Sequence, residues 1–342
     1  MRLSATPESL TERLALAAGR IPVPLIQTFQ ASLLARAIMV ATRIDLFEAL
    51  ERGPLTREAL AQRCGCHVQG LGHLLEALVG SGYIERHPRG YALGSTARTW
   101  LLSSSPRSVR DKVLFQFVEM RALEGFEAYV RSGTPSPMHA QMQGEDWGDY
   151  QRAMHGFAQH RAPEVVAKTP VPQRARAMLD IGGGHGAISA AFCRSFPDLH
   201  ATVLDLPEAV GAAAPLLARE GLGARLTHRP DDARSADLGE KCWDIVYIGQ
   251  LTHHLDEAAN RSLVARSARS LRPSGILVIC DALPGEPSQV SALADLFGAV
   301  ASGSAAWGPN AMRSWISEVG LTYSQISLGG GLQALFVGTK SR

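Results

Sequence analysis

The sequence lacks the features that would assign it to several large classes of protein. Its five cysteines are odd in number and scattered along 342 residues, so we expect reduced thiols and no disulfide framework. Cys64 and Cys66, followed by His67, have no second pair of ligands at the spacing of a zinc site, so no metal is expected. The formal net charge is only +2, and no long run of like charge points to a polyanionic partner.

The N-terminal segment also lacks the uninterrupted apolar run of a signal peptide or membrane span. Residues 1–14 include Glu8 and Glu12, and the apolar stretch 21–40 is interrupted by prolines, glutamines and an arginine. We therefore expect a cytoplasmic protein without a membrane partner. A hydrophobic fraction of 46% is ordinary for a soluble globular chain, and the length is sufficient for two domains.

What the sequence does contain is a glycine-rich turn at the end of a short apolar run. Met178-Leu-Asp-Ile-Gly-Gly-Gly-His-Gly186 leads from a predicted strand into a predicted helix at 187–196. Backbone N–H groups in such a turn can approach a ligand closely because no side chains intervene. The glycines follow a G-x-G-x-G pattern, which differs from the G-x-G-x-x-G of turns that hold a pyrophosphate.

A carboxylate follows at the end of the next predicted strand, at Asp205. In sheets that bind nucleotides, an acidic residue at this place accepts hydrogen bonds from the ribose hydroxyls. The glycine turn alone is also compatible with a tight strand-to-helix connection that binds nothing. Together with the carboxylate, it predicts a site for a nucleoside without a diphosphate.

Strands and helices alternate from residue 177 onward, which predicts a doubly wound parallel sheet with ligands at the carboxyl ends of its strands. Two further apolar segments are joined by Gly329-Gly-Gly331 and are predicted to pair as a hairpin. The predicted strands are 177–181, 201–205, 225–228, 244–248, 275–281, 321–328 and 332–338.

These motifs resemble those of the S-adenosylmethionine-dependent methyltransferases, specifically the two-domain O-methyltransferases of plant and bacterial secondary metabolism, over nearly the whole chain. The resemblance implies an α/β fold, with a Rossmann-like class I methyltransferase sheet and an N-terminal, mostly α winged-helix dimerisation domain. It implies a dimerisation domain at 1–105, a helical linker and substrate roof at 106–170, and a catalytic domain at 171–342. A reversed last strand is typical of this fold.

The first hundred residues have the pattern of a winged helix. An apolar helix is predicted at 25–51, helices at 57–63 and 68–81, and a hairpin at 82–93. Winged helices often bind DNA, but the candidate recognition helix contains no Lys or Arg to contact phosphates or base edges. We therefore expect no nucleic-acid partner. The resemblance implies instead a homodimer whose helices interlock.

The resemblance implies S-adenosyl-L-methionine as cofactor, S-adenosyl-L-homocysteine as product, and no metal. Asp180 and the glycines are expected to hold the methionine part, and Asp205 the ribose. Asp232 is the expected adenine contact, in a stretch that reads Asp231-Asp232-Ala233 where the family has Gly-Asp before Phe or Met. The implied cofactor-binding residues are Asp180, Gly182, Gly184, Gly186, Asp205, Leu206, Asp232, Ala233 and Gln250.

A pair of histidines follows the strand at 244–248, where His253-His254-Leu255 matches the family's His-Asp-Trp or His-Asn-Trp. The resemblance implies that His253 is the general base, which takes a proton from a phenol or hydroxyl as its oxygen attacks the methyl group. Asp281, at the end of the next strand, matches a family Glu that holds the base. A second family Glu has no counterpart among residues 309–311.

The predicted roof is helical, with a turn at 132–137. Within it, Tyr150-Gln-Arg-Ala-Met154 takes the place of the family's Phe-Asn-x-x-Met, although a Met and aromatic stripe is also typical of ordinary core. We expect a small-molecule acceptor, with Arg152 or His155 as the partner of a carboxylate or phenolate on it. The expected acceptor-binding residues are Phe117, Met120, Gln151, Met154 and His155.

Three activities remain open at this point. The first is O-methylation of a phenol or hydroxyl on a natural product, with His253 as base. The second is S-methylation of a small thioether or thiol acid, where a thioether sulfur needs no deprotonation. The third is hydroxylation or decarboxylation by a protein that binds the same cofactor, since fold alone does not fix function.

Overall fold

The computed structural model describes residues 4–283, 289–303, 307–331 and 333–341. The chain divides into two compact units between Phe117 and Val118, and Gln289 and Val290 go with the first unit. The domain limits expected at 105 and 170 stay predictions. Leu332, predicted as the first residue of the last strand, lies outside the described residues.

The first unit is mostly helical, with one small hairpin. A π-helical turn at Ile26–Gln30 lies between its second and third helices. Its elements are α1 (Leu10–Ala17), α2 (Val23–Leu25), α3 (Ala31–Arg43), α4 (Leu46–Ala49), α5 (Arg57–Arg63), α6 (Val68–Gly80), β1 (Ile84–His87), β2 (Gly90–Leu93), α7 (Ser95–Trp100) and the start of α8 (Arg110–Ala122).

The winged-helix pattern predicted from the sequence is confirmed. Thr56 caps α5 because its Oγ1 accepts a hydrogen bond from the N–H of Ala59, at 3.2 Å. β1 and β2 pair antiparallel, with Ile84 opposite Leu93, and both of these side chains are buried in the core of the unit. The wing is therefore packed onto the helices on one face and exposed on the other.

The prediction of a single long helix at 25–51 is wrong in its second half. Helix α3 ends at Arg43, and Asp45 adopts a left-handed conformation with φ of 56° before α4 begins. This break turns Leu46 and Phe47 into the core, where both are fully buried. Burial of two large side chains outweighs the local cost of one left-handed residue.

One described stretch, Val23–Arg43, is long and apolar enough to cross a membrane by length and composition alone. Its apolar side chains lie largely on the surface of the first unit, with Leu25, Phe29 and Leu33 all more than half exposed. Core helices of soluble proteins and N-terminal leader segments pass the same test. The cytoplasmic location expected from the sequence stays a prediction.

The second unit contains a seven-stranded sheet of order β5-β4-β3-β6-β7-β9-β8. All neighbours from β5 to β7 pair parallel, whereas β9 runs antiparallel to both β7 and β8. The parallel sheet and its reversed last strand are thus confirmed. The strands are β3 (Ala177–Ile181), β4 (His200–Asp205), β5 (Leu226–Pro230), β6 (Trp243–Gly249), β7 (Leu271–Ala282), β8 (Thr322–Leu328) and β9 (Gln333–Thr339).

Helices precede the sheet and cover both of its faces. The predicted turn at 132–137 is confirmed, because one helix ends at Ser132 and the next begins at Met138. The helices are α9 (Phe126–Ser132), α10 (Met138–Gln141), α11 (Glu145–Lys168), α12 (Ala187–Ser195), α13 (Pro207–Arg219), α14 (Glu257–Ser270), α15 (Gln289–Ser302) and α16 (Pro309–Glu318).

The sheet brings four functional segments to one edge. Its central strands are apolar runs buried on both faces, as expected for parallel strands covered by helices. Because β3, β4, β6 and β7 are parallel, the residues that follow each of them meet at the same edge. The glycine turn, Asp205, the two histidines and Asp281 all lie there.

Candidate active site

The glycine turn connects β3 to α12 in a conformation that excludes side chains. Gly182, Gly184 and Gly186 have φ of 73°, 42° and 73°, in the left-handed region that favours glycine. A Cβ on Gly184 would lie 2.5 Å from Oε1 of Gln151, whose side chain is buried against the turn. Gln151, expected to contact the acceptor, therefore has its amide at the glycine turn.

Asp180 supplies a buried carboxylate beneath this turn. Its Oδ2 accepts a hydrogen bond from the Ser189 hydroxyl at 2.6 Å, while its Oδ1 has no partner among the described residues. Burial raises the pKa of this carboxyl to about 7. Oε1 of Gln151 is a second buried oxygen that no described residue supplies with a donor. The turn therefore presents two buried acceptor oxygens that no described residue satisfies.

Asp205 terminates β4 beside the same turn. Its two carboxylate oxygens each accept one backbone N–H, from Gly184 and from Leu206, both at 2.8 Å. Burial raises its pKa. A carboxylate offers about four acceptor positions, so roughly two remain for a ligand.

Asp232, expected to contact adenine, and two further residues expected to bind the cofactor, Ala233 and Gln250, have protein partners in this structure. The Asp232 carboxylate accepts the N–H and guanidinium of Arg234, which lowers its pKa, and this contact has the form of an Asx turn. The Ala233 carbonyl accepts from the Arg266 guanidinium at 2.5 Å. Gln250 has a left-handed φ of 54° and donates through its backbone N–H to the Cys280 carbonyl at 2.9 Å.

His253 lies in a short 3₁₀ turn, Thr252–His254, directly after β6. Its Nδ1 is 3.0 Å from Oδ1 of Asp281, and the carboxylate accepts further hydrogen bonds from the Thr252 hydroxyl and the Ala282 N–H. Burial alone would raise the pKa of Asp281, but the hydrogen bonds that it accepts, first that from His253, hold it below its usual value. The predicted pair is therefore brought together.

Two residues that sequence reasoning missed hold the histidine turn in place. The buried Asn260 amide donates to the carbonyls of Thr252 and Leu255, at 2.9 and 3.0 Å. The indole N–H of Trp307 donates to the same Thr252 carbonyl at 3.0 Å. The sign visible in the sequence is Asn260 itself, a polar residue on the face of α14 that also carries Leu263 and Val264.

A second histidine cluster adjoins His253. The ring of His254 lies 4.2 Å from that of His253 and 4.9 Å from that of His139, which contacts Tyr150 edge-on at 5.0 Å. Burial, with the neighbouring imidazoles, lowers the pKa of His254 to about 3, so its ring is uncharged at neutral pH. His139 lies in the four-residue helix α10, and no sequence pattern connects it with the site.

The other expected acceptor residues are more dispersed. Met120 and Met154 are half-buried in α8 and α11. Phe117 belongs to the first unit, where the Arg43 guanidinium lies 3.2 Å from its ring centroid. His155 is 3.1 Å from a carboxylate oxygen of Glu220, so its partner is a protein group.

Arg152, the other residue expected to meet a charged acceptor, forms an ion pair with Asp149 at 2.5 Å. A groove of about 880 Å³ runs along α11 and α12 and contains none of the predicted site residues. Within the described ranges, no group of three or more His, Cys, Asp or Glu side chains is placed to hold a metal ion.

Comparison with known proteins identifies the family of this chain. A model of the O-methyltransferase dimerisation domain matches residues 26–103, and a model of the O-methyltransferase domain matches residues 139–301. The mitomycin biosynthesis 6-O-methyltransferase of Streptomyces lavendulae is 31% identical over 271 residues, 76% of this chain and 77% of that protein. The phenazine-1-carboxylate N-methyltransferase of Pseudomonas aeruginosa is 29% identical over 80% of this chain and 83% of its own.

Solved structures agree with the fold. The mitomycin 7-O-methyltransferase structure superposes with a TM-score of 0.82 at 26% identity, over 97% of this chain and 100% of that one. Human N-acetylserotonin methyltransferase in complex with SAM, at 17% identity, shares the fold with a TM-score of 0.80, over 99% of this chain and 100% of that one.

The named relatives are O- and N-methyltransferases, and they lend no support to S-methylation, hydroxylation or decarboxylation. The mostly helical N-terminal region and the mixed Rossmann-like sheet are those of the class I O-methyltransferases. The chain therefore belongs to the O-methyltransferase family and is an S-adenosylmethionine-dependent methyltransferase of the secondary-metabolite type.

Proposed function

We propose that this enzyme methylates a hydroxyl or phenol on an aromatic small molecule, with His253 as the general base. The observation that carries the proposal is the hydrogen bond between His253 and the buried Asp281 at the edge where the glycine turn also lies. The two segments are in contact, because a Cβ on Gly182 would lie 3.1 Å from the Leu251 side chain, just before the histidine turn.

Asp281 orients the base and prepares it for the proton. Since a carboxylate only accepts hydrogen bonds, the Nδ1 of His253 carries the hydrogen, and the lone pair of the neutral ring is on Nε2. The His253 side chain is 29% exposed, so the ring is not fully enclosed by protein. Asp281 also stabilises the imidazolium that forms when the acceptor hydroxyl gives up its proton.

The residues at the glycine turn fit S-adenosylmethionine, which when bound supplies an electrophilic methyl group. We assign Asp180 Oδ1 and Gln151 Oε1, two buried oxygens at the turn for which the described part of the chain supplies no donor, to the ammonium of its methionine part. The acceptor positions left on Asp205 suit the ribose hydroxyls. Roles for Leu206, Asp232, Ala233 and Gln250 around the nucleoside stay predictions.

The acceptor class is proposed from the aromatic surroundings of the base. His254, His139, Tyr150 and Trp147 form a connected set of rings beginning at His253. Flat aromatic acceptors pack well against such rings. Relatives are named for mitomycin, tetracenomycin and 3-hydroxy-5-methyl-1-naphthoate, so we propose a fused-ring acceptor that carries a hydroxyl. Roles for Phe117, Met120, Met154 and His155 toward it stay predictions.

The acceptor proposal is tested with a panel assayed for S-adenosylhomocysteine release and for methylated product by mass spectrometry. Hydroxynaphthoates and hydroxyquinones are expected to gain one methyl group on oxygen, in step with the released S-adenosylhomocysteine. Matched naphthoates without the hydroxyl serve as the control and are expected to be inert. Turnover confined to a phenazine nitrogen or to a thiol would contradict O-methylation, because neither reaction methylates an oxygen.

We further propose a homodimer formed through the first unit. The dimerisation model matches residues 26–103, and the exposed apolar side chains of Phe29 and Leu33 lie at its start. Phe29→Ser with Leu33→Ser is expected to weaken the dimer at least tenfold, measured by sedimentation at graded concentrations. Gln62→Ser, at an exposed position of α5, is expected to leave it unchanged. If the wild-type chain sediments as a monomer at about 50 µM, the assignment is refuted.

A further inference from the structure

One glycine of the cofactor turn is anchored through both of the peptide groups that flank it. The N–H of Gly184 donates to Oδ2 of Asp205 at 2.8 Å, and the carbonyl of Gly184 lies 2.7 Å from Nε2 of His228. Because a carbonyl only accepts, His228 is the donor of the second hydrogen bond. The two bonds together fix φ and ψ at Gly184, whose φ is 42°.

The sheet places both anchors. His228 lies on β5 directly opposite Val203 of β4, two residues before Asp205, so imidazole and carboxylate reach the turn from neighbouring strands. The backbone carbonyl of Asp205 accepts from the N–H of Asp231, which ties the end of β4 to the segment after β5. His228 and Asp205 are therefore rigidly spaced, and Gly184 is held between them.

The other histidines near the turn have different partners. Nδ1 of His185 accepts the N–H of Ala187 at 3.1 Å, and burial lowers the pKa of His185 to about 3, so it stays uncharged. His155 pairs with Glu220, which also accepts from the Arg194 guanidinium. Among these groups, His228 makes the side-chain bond to the backbone carbonyl of the turn.

We propose that His228 is a positioning residue for the cofactor. By holding Gly184, it keeps the N–H of that residue on Oδ2 of Asp205 and so leaves the remaining acceptor positions of the carboxylate toward the ribose hydroxyls. Without it, the turn is anchored on one side, and its left-handed glycine can rotate. The proposal rests on the assignment of the glycine turn and Asp205 to S-adenosylmethionine.

The test is calorimetric binding of S-adenosylhomocysteine, which needs no acceptor and no turnover. His228→Phe removes the donor and is expected to weaken binding about tenfold, as for one lost hydrogen bond with a preorganising role. His228→Gln keeps an N–H at a similar reach and is expected to bind within about threefold of wild type. His200→Phe, at an exposed position of β4, is the matched control and is expected to bind normally.

Kinetics separates positioning from a general loss of structure. His228→Phe is expected to raise the KM for S-adenosylmethionine, while kcat at saturation and the KM for the acceptor stay within about twofold. Equal losses in the Phe and Gln variants, or normal binding by His228→Phe, would overturn the proposal. Failure of the general-base proposal is distinguishable, because it shows in the turnover of His253→Ala and not in binding.

Discussion

His253→Ala is expected to lower kcat by about 10²- to 10⁴-fold, the loss typical of an absent general base. A neutral hydroxyl is a poor nucleophile, and His253, held by Asp281 through Nδ1, is the acceptor for its proton in our proposal. Binding of S-adenosylhomocysteine is expected to stay within about twofold of wild type, because the groups assigned to the cofactor lie at the glycine turn.

The measurement is kcat at saturating concentrations of both substrates, with His160→Ala as a control. His160 is an exposed histidine of α11 and is expected to be dispensable. Exogenous imidazole is expected to restore part of the activity of His253→Ala, since it can occupy the space of the missing ring. Turnover by His253→Ala within about tenfold of wild type would sink the general-base assignment.

Asp281→Asn tests the orientation of the same base. An amide at this place can present its N–H₂ to Nδ1, which favours the opposite tautomer and puts the hydrogen on Nε2. We expect a large loss of kcat with little change in KM for either substrate. Thr252 still finds a partner in the Asn carbonyl, whereas the Ala282 N–H, which donates to Oδ1, then faces the amide N–H₂. We therefore expect a modest loss of thermal stability beside the much larger loss of kcat, and thermal unfolding and steady-state kinetics measure the two separately.

The sheet was predictable because buried parallel strands are short apolar runs that end in glycine, proline or polar residues. The prediction for β7 began at Gly275, whereas the strand begins at Leu271. The missed segment contains Pro273 and Ser274, the latter with a left-handed φ of 64°, and the pairing with β6 shifts register there. Such an irregular start has the composition of a turn, and only cross-strand pairing reveals it.

The helix predicted at 25–51 shows the opposite error. Apolar residues continue through Ile44 and Leu46, so the sequence pattern carries no sign of an end. The end at Arg43 is decided by packing, because the turn at Asp45 brings Leu46 into the core of the first unit. Local pattern cannot report a choice that depends on distant side chains.

The candidate site likewise contains residues that the sequence predicted and residues that it did not. The proximity of His253 and Asp281 was predictable because His253 follows one predicted strand and Asp281 ends the next, and parallel strands end at one edge. Their roles came from the family resemblance. His139, His228 and Trp307 lie far along the chain from the groups that they contact, and their own neighbours in the sequence carry no motif. Contacts of this kind depend on the packing of whole elements, which the sequence alone does not specify.

Asp180→Asn is expected to stabilise the ligand-free protein at alkaline pH and to impair cofactor binding. The carboxyl of Asp180 is buried, and its Oδ1 has no donor among the described residues, so its charge is poorly compensated until a cation binds. Burial raises its pKa from the ordinary value of 3.8 to about 7. A rise of that size corresponds to at most about 4 kcal/mol of stability forgone above pH 7.

The direction of the pH dependence follows from the linkage between proton binding and folding. The pKa of Asp180 is higher in the folded than in the unfolded state, so the folded protein binds this proton more tightly. Its contribution to stability is complete below about pH 4 and is lost as pH rises through about 7. Asparagine has no charge to bury, so the variant lacks this loss. Its advantage over wild type is expected to grow by up to about 2 kcal/mol between about pH 5.5 and 8.5.

Urea unfolding of the ligand-free proteins at these two pH values measures the effect. Asp198→Asn, at an exposed position after α12, is the control and is expected to show no such pH dependence. A variant advantage that is the same at both pH values would contradict the assignment of the stability loss to Asp180.

The Asp180 carboxylate is expected to destabilise the ligand-free protein and to stabilise the protein that has bound its cofactor. The ammonium assigned to Asp180 Oδ1 supplies the missing donor and the opposite charge, so the carboxylate that destabilises the empty site stabilises the occupied one. Asp180→Asn is therefore expected to bind S-adenosylhomocysteine at least about tenfold more weakly at pH 8. If the variant were more stable at alkaline pH and still bound the ligand normally, the ammonium would have to be held elsewhere in the turn. A site that is destabilising when empty and stabilising when filled couples folding of this domain to its cofactor.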